Sequence, residues 1–163
     1  MNLECYEYDR LDEFSYRFYS EGPRGTFKLH IRFTRIRDLT YNLGFGVVDN
    51  ESEWIDDLFE VRNGDSQKIL STVASAALDF LNAHPDNSIF ATGSTSSRTR
   101  LYQMGISKVL PSLTGYVIAG CVMNKRQPEN TGQVFTRLPV EWCAFEAGVA
   151  YDAFLICKSQ VLN

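Results

Sequence analysis

The chain has 163 residues, of which 44% are hydrophobic and 13% aromatic, and these fractions exclude an intrinsically disordered protein. Its 20 acidic residues against 16 lysines and arginines give a net charge of -4, so nucleic acid is not favoured as a partner, because sequence-independent binding needs clustered cations. No run reaches the roughly 18 apolar residues of a membrane helix, and the N-terminus lacks a signal-peptide pattern. We therefore expect one cytoplasmic domain over residues 1–163, with no membrane partner.

The cysteines and histidines predict neither a metal site nor a hydrolytic triad. The four cysteines are far apart in sequence and have no histidine at metal-ligand spacing, so small buried side chains in a reducing compartment are expected. The two histidines, His30 and His84, lie on a strand and at a helix end, without the nucleophile context that such a triad requires.

The first third of the chain alternates between apolar and polar residues and predicts an antiparallel meander of three strands. The strands are expected around residues 14–18, over eight or nine residues from Thr26, and over 40–49. Residues 54–62 fit no period cleanly, and we favour a fourth short strand at 59–61. On the second strand the cations at 28, 30 and 32 form a stripe, which is either a solvated face or a binding surface.

Two helices and further strands follow. Apolar residues at three- and four-residue steps predict a helix over 67–83, with Asp65 or Ser66 as its cap. A short strand at 88–92, a second helix at 97–110 and a strand at 116–122 come next, and residues 134–142 and 148–157 are assigned to final strands or a short helix. The β-α-β order implies a parallel crossover.

The turn before the first helix is one candidate site. It contains Asn63, Gly64, Asp65, Ser66 and Lys68. Free N–H groups and the positive end of the helix dipole make a helix start a natural anion site, and a glycine allows close approach. The Asp65 carboxylate would repel a phosphate, so an ordinary capped helix after a tight turn is the alternative.

The start of the second helix is the other candidate site. Arg98 and Arg100 lie in the first turn, where the helix dipole disfavours cations. They either pair with carboxylates such as Asp56, Asp57 and Asp65 or bind an external anion.

The element order, the glycine-containing turn and the Leu101-Tyr102 pair on the second helix resemble the GNAT-type N-acetyltransferase superfamily. Residues 98–106, RTRLYQMGI, look like the segment of that superfamily whose tyrosine protonates the departing thiolate. The resemblance implies Tyr102 as a general acid and the Asn63–Ser66 turn as a cradle for the acyl-CoA pyrophosphate. The chain also resembles a bacterial family of unknown function with the motifs YNLGFG, NGD and GST-x-x-RTRLYQMGI.

These observations lead to an α+β prediction: a GNAT-like mixed sheet with two main helices, a core of about 14–122 and a C-terminal extension of about 123–163. The Gln/Arg-x-x-Gly-x-Gly/Ala pyrophosphate signature is absent, so we favour an interaction module, one member of a small two-protein bacterial system. It would hold a protein partner or a second copy, with no cofactor. The alternative is an N-acyltransferase that uses acetyl-CoA or another acyl-CoA. Cofactor-contacting residues would be Asn63, Gly64, Asp65, Ser66, Lys68, Arg98 and Arg100, and the catalytic residue Tyr102.

Overall fold

The computed structural model describes residues 4–48, 55–56, 63–93, 96–109, 114–122, 142–146 and 148–159. In these residues the chain is an α+β protein with a mixed sheet and two helices. The strands are β1 (Asp9–Asp12), β2 (Ser15–Gly22), β3 (Gly25–Arg37), β4 (Thr40–Val48), β5 (Ile55–Asp56), β6 (Ser88–Ala91), β7 (Tyr116–Cys121), β8 (Cys143–Ala144) and β9 (Ala153–Lys158). The helices are α1 (Ser66–Ala83) and α2 (Ser96–Val109).

The predicted meander is confirmed. β2, β3 and β4 pair antiparallel in sequence order, with rungs such as Phe18 opposite Leu29 and Ile31 opposite Phe45. β3 runs for 13 residues, longer than expected, and β1 adds an exposed edge strand that the sequence pattern did not indicate. Alternation is a reliable signal here because one face of these strands is covered by a helix and the other carries polar side chains.

The centre of the sheet has a non-sequential order. The strands run β1-β2-β3-β4-β6-β9-β7-β8, and β5 pairs with the end of β4. β4 and β6 are parallel, as the β-α-β prediction requires, and β9 lies between β6 and β7, antiparallel to both. The last strand of the chain, within the predicted C-terminal extension, is therefore central in the sheet.

Two predicted elements fall wholly or mostly outside the described residues. The strand favoured at 59–61 lies entirely outside them, and the nearby two-residue strand β5 pairs with Val47 and Val48. Residues 134–141 also lie outside, and Trp142 stands just before β8.

The core lies between the sheet and α1. Helix α1 buries one face, with Phe80 stacked on Phe33 of β3 at 4.1 Å between ring centroids. Ile31, Phe80 and Leu81 are fully buried, and each such side chain contributes about 1.5–3 kcal/mol by leaving water. His84 ends the helix, since its backbone N–H still reaches the Phe80 carbonyl while Pro85 follows.

Candidate functional site

Asn63 in the predicted phosphate-binding turn is a structural anchor for the β2–β3 hairpin. Its side chain is 3% exposed and accepts a hydrogen bond from the Arg24 backbone N–H at 2.7 Å. It donates to the Gly25 carbonyl at 2.8 Å and to the Ser20 hydroxyl at 3.3 Å. A Cβ on Gly22 would overlap Asn63, so the hairpin and the turn are in direct contact. The Asn63 side chain is therefore bound by groups of the protein itself.

Asp65 stands at the N-cap position of α1, but its carboxylate does not cap the helix. Oδ2 accepts hydrogen bonds from the Tyr6 hydroxyl at 2.6 Å and from the Ser20 hydroxyl. The other oxygen, Oδ1, is buried and has no hydrogen-bond partner among the described residues. The helix start thus already carries a negative group that is tied to the N-terminal segment and to β2.

Gly64, Ser66 and Lys68 are the other candidate residues of this turn. Gly64 has a φ of +76°, a conformation that glycine adopts without strain, and it is exposed. Ser66 is exposed, and the Lys68 ammonium lies 4.2 Å from the centre of the Tyr6 ring, in cation–π contact. The side chains of Asn63, Asp65 and Lys68 therefore each contact Ser20 or Tyr6 of the same chain.

The N-terminal segment, residues 4–8, lies along α1. The Tyr6 backbone N–H donates to the Thr72 hydroxyl at 2.8 Å, and the Tyr8 hydroxyl donates to Asp79. Burial and the Asp79 carboxylate raise the pKa of Tyr8 to about 12, and burial together with Asp65 raises the pKa of Tyr6. These contacts fix the segment through tyrosines that the sequence analysis did not single out.

The start of α2 is built differently. Gly93 and Thr99 close the turn, since the Gly93 N–H donates to the Thr99 hydroxyl at 2.9 Å. The Arg98 guanidinium lies 6.0 Å from the Phe45 ring centre, over β4, and Arg100 is exposed. Of the three carboxylates proposed as partners of these arginines, the structure describes that of Asp65. The Asp65 carboxylate is bound to Tyr6 and Ser20, and the side chains of Asp56 and Asp57 lie outside the described part of the chain.

Tyr102 lines an apolar cavity of about 70 Å³ between α1, α2 and the sheet. Its ring packs against Phe45 with 5.5 Å between centroids, so β4 places Tyr102 and Arg98 beside the same aromatic side chain. Small residues create the space, among them Ala74, Ala77, Ala91 and Gly105. The cavity lies against the face of the sheet, at Leu43 and Phe45 of β4 and Ala91 of the parallel strand β6.

Gln103, next to Tyr102, fastens the chain before β9. Its side chain donates to the Val149 carbonyl and accepts from the Tyr151 N–H at 3.2 Å. Tyr151 in turn packs so closely on Gly120 that a Cβ there would overlap its ring. The sequence carried no signal for this clamp, because its members are 48 residues apart.

The stripe of cations on β3 borders a surface trough of about 420 Å³ on the sheet face away from α1. His30, Arg32 and Thr34 line it with Asp12 and Leu11 of the β1–β2 hairpin. The pKa of Asp12 is lowered by hydrogen bonds from the Phe14 N–H and from Ser15, and by nearby Arg32. Because the Asp12 carboxylate offsets Arg32, the trough is not a strongly cationic surface.

Metal chemistry receives no support in the described residues, which contain no group of three histidine, cysteine or acidic side chains able to hold an ion. Within the same ranges, all four cysteines are free thiols, and burial raises the pKa of Cys121 and Cys157. No helix of the described chain has the length and apolar character of a membrane span.

Comparison with known proteins gives a family for the chain. No curated protein and no solved structure matches it. The model of a family of unknown function, DUF6934, matches residues 2–159, nearly the whole chain. The chain therefore belongs to the DUF6934 family of unknown function.

Proposed function

We propose that the chain is a non-catalytic binding module, one half of a small two-protein bacterial system, that holds an apolar side chain of its protein partner between α1 and α2. The observation that carries this proposal is that Asn63 and Asp65 already hydrogen-bond to the β2–β3 hairpin and to Tyr6. A diphosphate at the start of α1 would have to lie beside the half-buried Asp65 carboxylate, which already accepts hydrogen bonds from Tyr6 and Ser20 and would repel it.

The size of the Tyr102 cavity supports the same reading. About 70 Å³ corresponds to roughly two water molecules at liquid density, which suits the tip of a side chain. Its lining is aliphatic and aromatic, with the Tyr102 ring against Phe45. Hydrophobic burial of one such group is the kind of anchor on which protein interfaces depend.

The cavity is tested with a side-chain probe. N-acetyl-leucine methylamide, titrated into the full chain, should shift the NMR methyl resonances of Leu43, Leu70 and Ile106. Ala77→Val, which narrows the cavity, should abolish these shifts, whereas Ala83→Val at the exposed end of α1 should retain them. Unchanged methyl resonances up to tens of millimolar probe would contradict the proposal.

A second candidate, acyl-CoA-dependent N-acyltransfer, is favoured by one observation, the position of Tyr102 at a cavity against the parallel strands β4 and β6. In that function a GNAT-like chain would use Tyr102 to protonate the departing thiolate while the acyl group passes to an amine.

Acetyl-CoA distinguishes the two functions. For a binding module, millimolar acetyl-CoA should leave the Tm unchanged, and no free thiol should be released in the presence of amines. A Tm rise that is lost in Ser66→Ala, with thiol release that is lost in Tyr102→Phe, would establish the transferase instead.

A further inference from the structure

Two oppositely charged surfaces flank α1. Residues 4–8, which lie along α1, contain two acidic side chains, Glu4 and Glu7, both exposed, and no lysine or arginine. Residues 98–109, most of α2, contain Arg98, Arg100 and Lys108 and no acid. We call residues 4–8 the acidic strip. In a chain with a net charge of -4, this separation is a marked polarisation.

The contacts of α1 place these two surfaces on opposite sides of it. Cys5, Tyr6 and Tyr8 contact Ser71, Thr72 and Asp79 on one flank. On the other flank Leu70 faces Gly105, and Lys108 donates to the Gln67 side chain at 2.7 Å. The N-terminal segment, α1 and α2 therefore form one layer over the sheet, which is acidic at one side and basic at the other.

The middle of this layer is weakly polar. Helix α1 has only two charged residues in 18, Lys68 and Asp79, and its half-buried Ala74 and Leu78 lie between the two flanks. On α2, Leu101 and Met104 are 41% and 51% exposed, beside Arg100 and Lys108. Methionine, arginine and exposed aliphatic groups are typical of interface centres.

We propose that the outer face of this layer is a self-complementary interface, on which a second copy of the chain docks about a two-fold axis beside α1. A two-fold axis places the acidic strip of each copy over the basic α2 of the other, so each charge contact forms twice. Helix α1 spans about 27 Å at 1.5 Å per residue, and a layer three elements wide offers roughly 800 Å², the area per partner of a standard interface.

Charge reversal tests this arrangement by sedimentation velocity on the full chain. The unmodified chain should dimerise in the micromolar range at low salt and dissociate at least tenfold more readily in 0.5 M NaCl. Arg100→Glu with Lys108→Glu should weaken the dimer at least tenfold, and so should Glu4→Lys with Glu7→Lys. The matched control is Arg35→Glu with Arg37→Glu, exposed on β3, which should retain the dimer.

Mixing the two reversed variants gives the decisive result. Each variant repels its own copies, but in a mixture every acidic strip meets a basic helix, so a heterodimer should form with near-native affinity. A chain that stays monomeric at 200 μM in low salt, or a mixture that remains monomeric, overturns the proposal. Ala77→Val, which tests the cavity, leaves these charges in place and should not alter dimerisation, so the two proposals fail separately.

Discussion

The starts of α1 and α2 have similar local sequences and different roles. Both have glycine and serine just ahead of the helix or in its first turn, and both were considered as candidate anion sites. At α1 the polar side chains Asn63 and Asp65 are directed into the molecule and hold the β2–β3 hairpin and the N-terminal segment. At α2 the Thr99 hydroxyl accepts a hydrogen bond from the Gly93 N–H, while Arg98 lies over Phe45 and Arg100 is exposed.

The difference shows that polar groups at a helix start are not available to a ligand when another segment of the chain already binds them. The hairpin reaches the α1 start because β2 and β3 extend to Gly22 and Gly25, where Asn63 receives them. Backbone and side-chain hydrogen bonds to a neighbouring hairpin satisfy the same groups that would otherwise bind an anion. The predictions below test the anchoring role of the α1 start and the close packing of Gly93 on Thr99 at the α2 start.

The largest effect is expected for Asn63→Ala. It removes the acceptor for the Arg24 N–H and the donor to the Gly25 carbonyl, and it leaves a cavity at a residue that is 3% exposed. We expect the free energy of unfolding to fall by about 2–4 kcal/mol in urea titrations. Gln67→Ala, at an exposed position on the same helix, should change it by less than about 0.5 kcal/mol. Equal effects of the two changes would mean that Asn63 is not an anchor.

Gly93→Ala tests the turn before α2. A Cβ at this glycine would overlap the backbone nitrogen of Thr99, so the helix start must shift, at a cost of about 1–3 kcal/mol in thermal or urea unfolding. Gly44→Ala is the control, because a Cβ there would have only the Asn42 side chain near it among the described residues, at 4.0 Å. There, alanine should be neutral or stabilising by about 0.5 kcal/mol, since glycine is unfavourable within a strand.

Tyr8 gives the N-terminal segment a pH dependence. Its folded pKa of about 12 lies above the unfolded value near 10, so the folded state binds the phenol proton more tightly. This contribution is complete below pH 10 and is lost as the pH rises from about 10 to 12. Tyr8→Phe should therefore reduce the fall in Tm between pH 9 and pH 11.5, whereas Tyr19→Phe, an exposed phenol on the other sheet face, should not. Identical pH profiles for all three chains would contradict the role of Tyr8.

Gly105→Ala should have the smallest effect, and a favourable one. A Cβ there would meet the Leu70 side chain at 3.6 Å, an ordinary van der Waals contact, and alanine is a better helix former than glycine. We expect a gain of about 0.5–1 kcal/mol in the free energy of unfolding. A loss of stability would indicate that α1 and α2 are packed more tightly than the cavity between them suggests.

The sequence determined the elements whose pattern is local. Alternation predicted β2, β3 and β4, three- and four-residue periodicity predicted α1, and the β-α-β order predicted that β4 and β6 would be parallel. These features follow from which side chains face the core along one strand or helix, and that can be read without knowing the neighbours. The same pattern identified the two helix starts as the polar positions of interest.

Only the tertiary structure decided what those positions do. The hydrogen bonds of Asp65 to Tyr6 and Ser20 and the clamp of Gln103 on Tyr151 join residues 45 to 59 positions apart, and β9 inserts between β6 and β7 from the far end of the chain. A single sequence carries no local signal for such contacts, because each partner looks like an ordinary exposed polar residue on its own. In their local sequence, residues 63–68 resemble a phosphate-binding turn. The packing of a distant hairpin and of the N-terminal segment gives these residues their anchoring role.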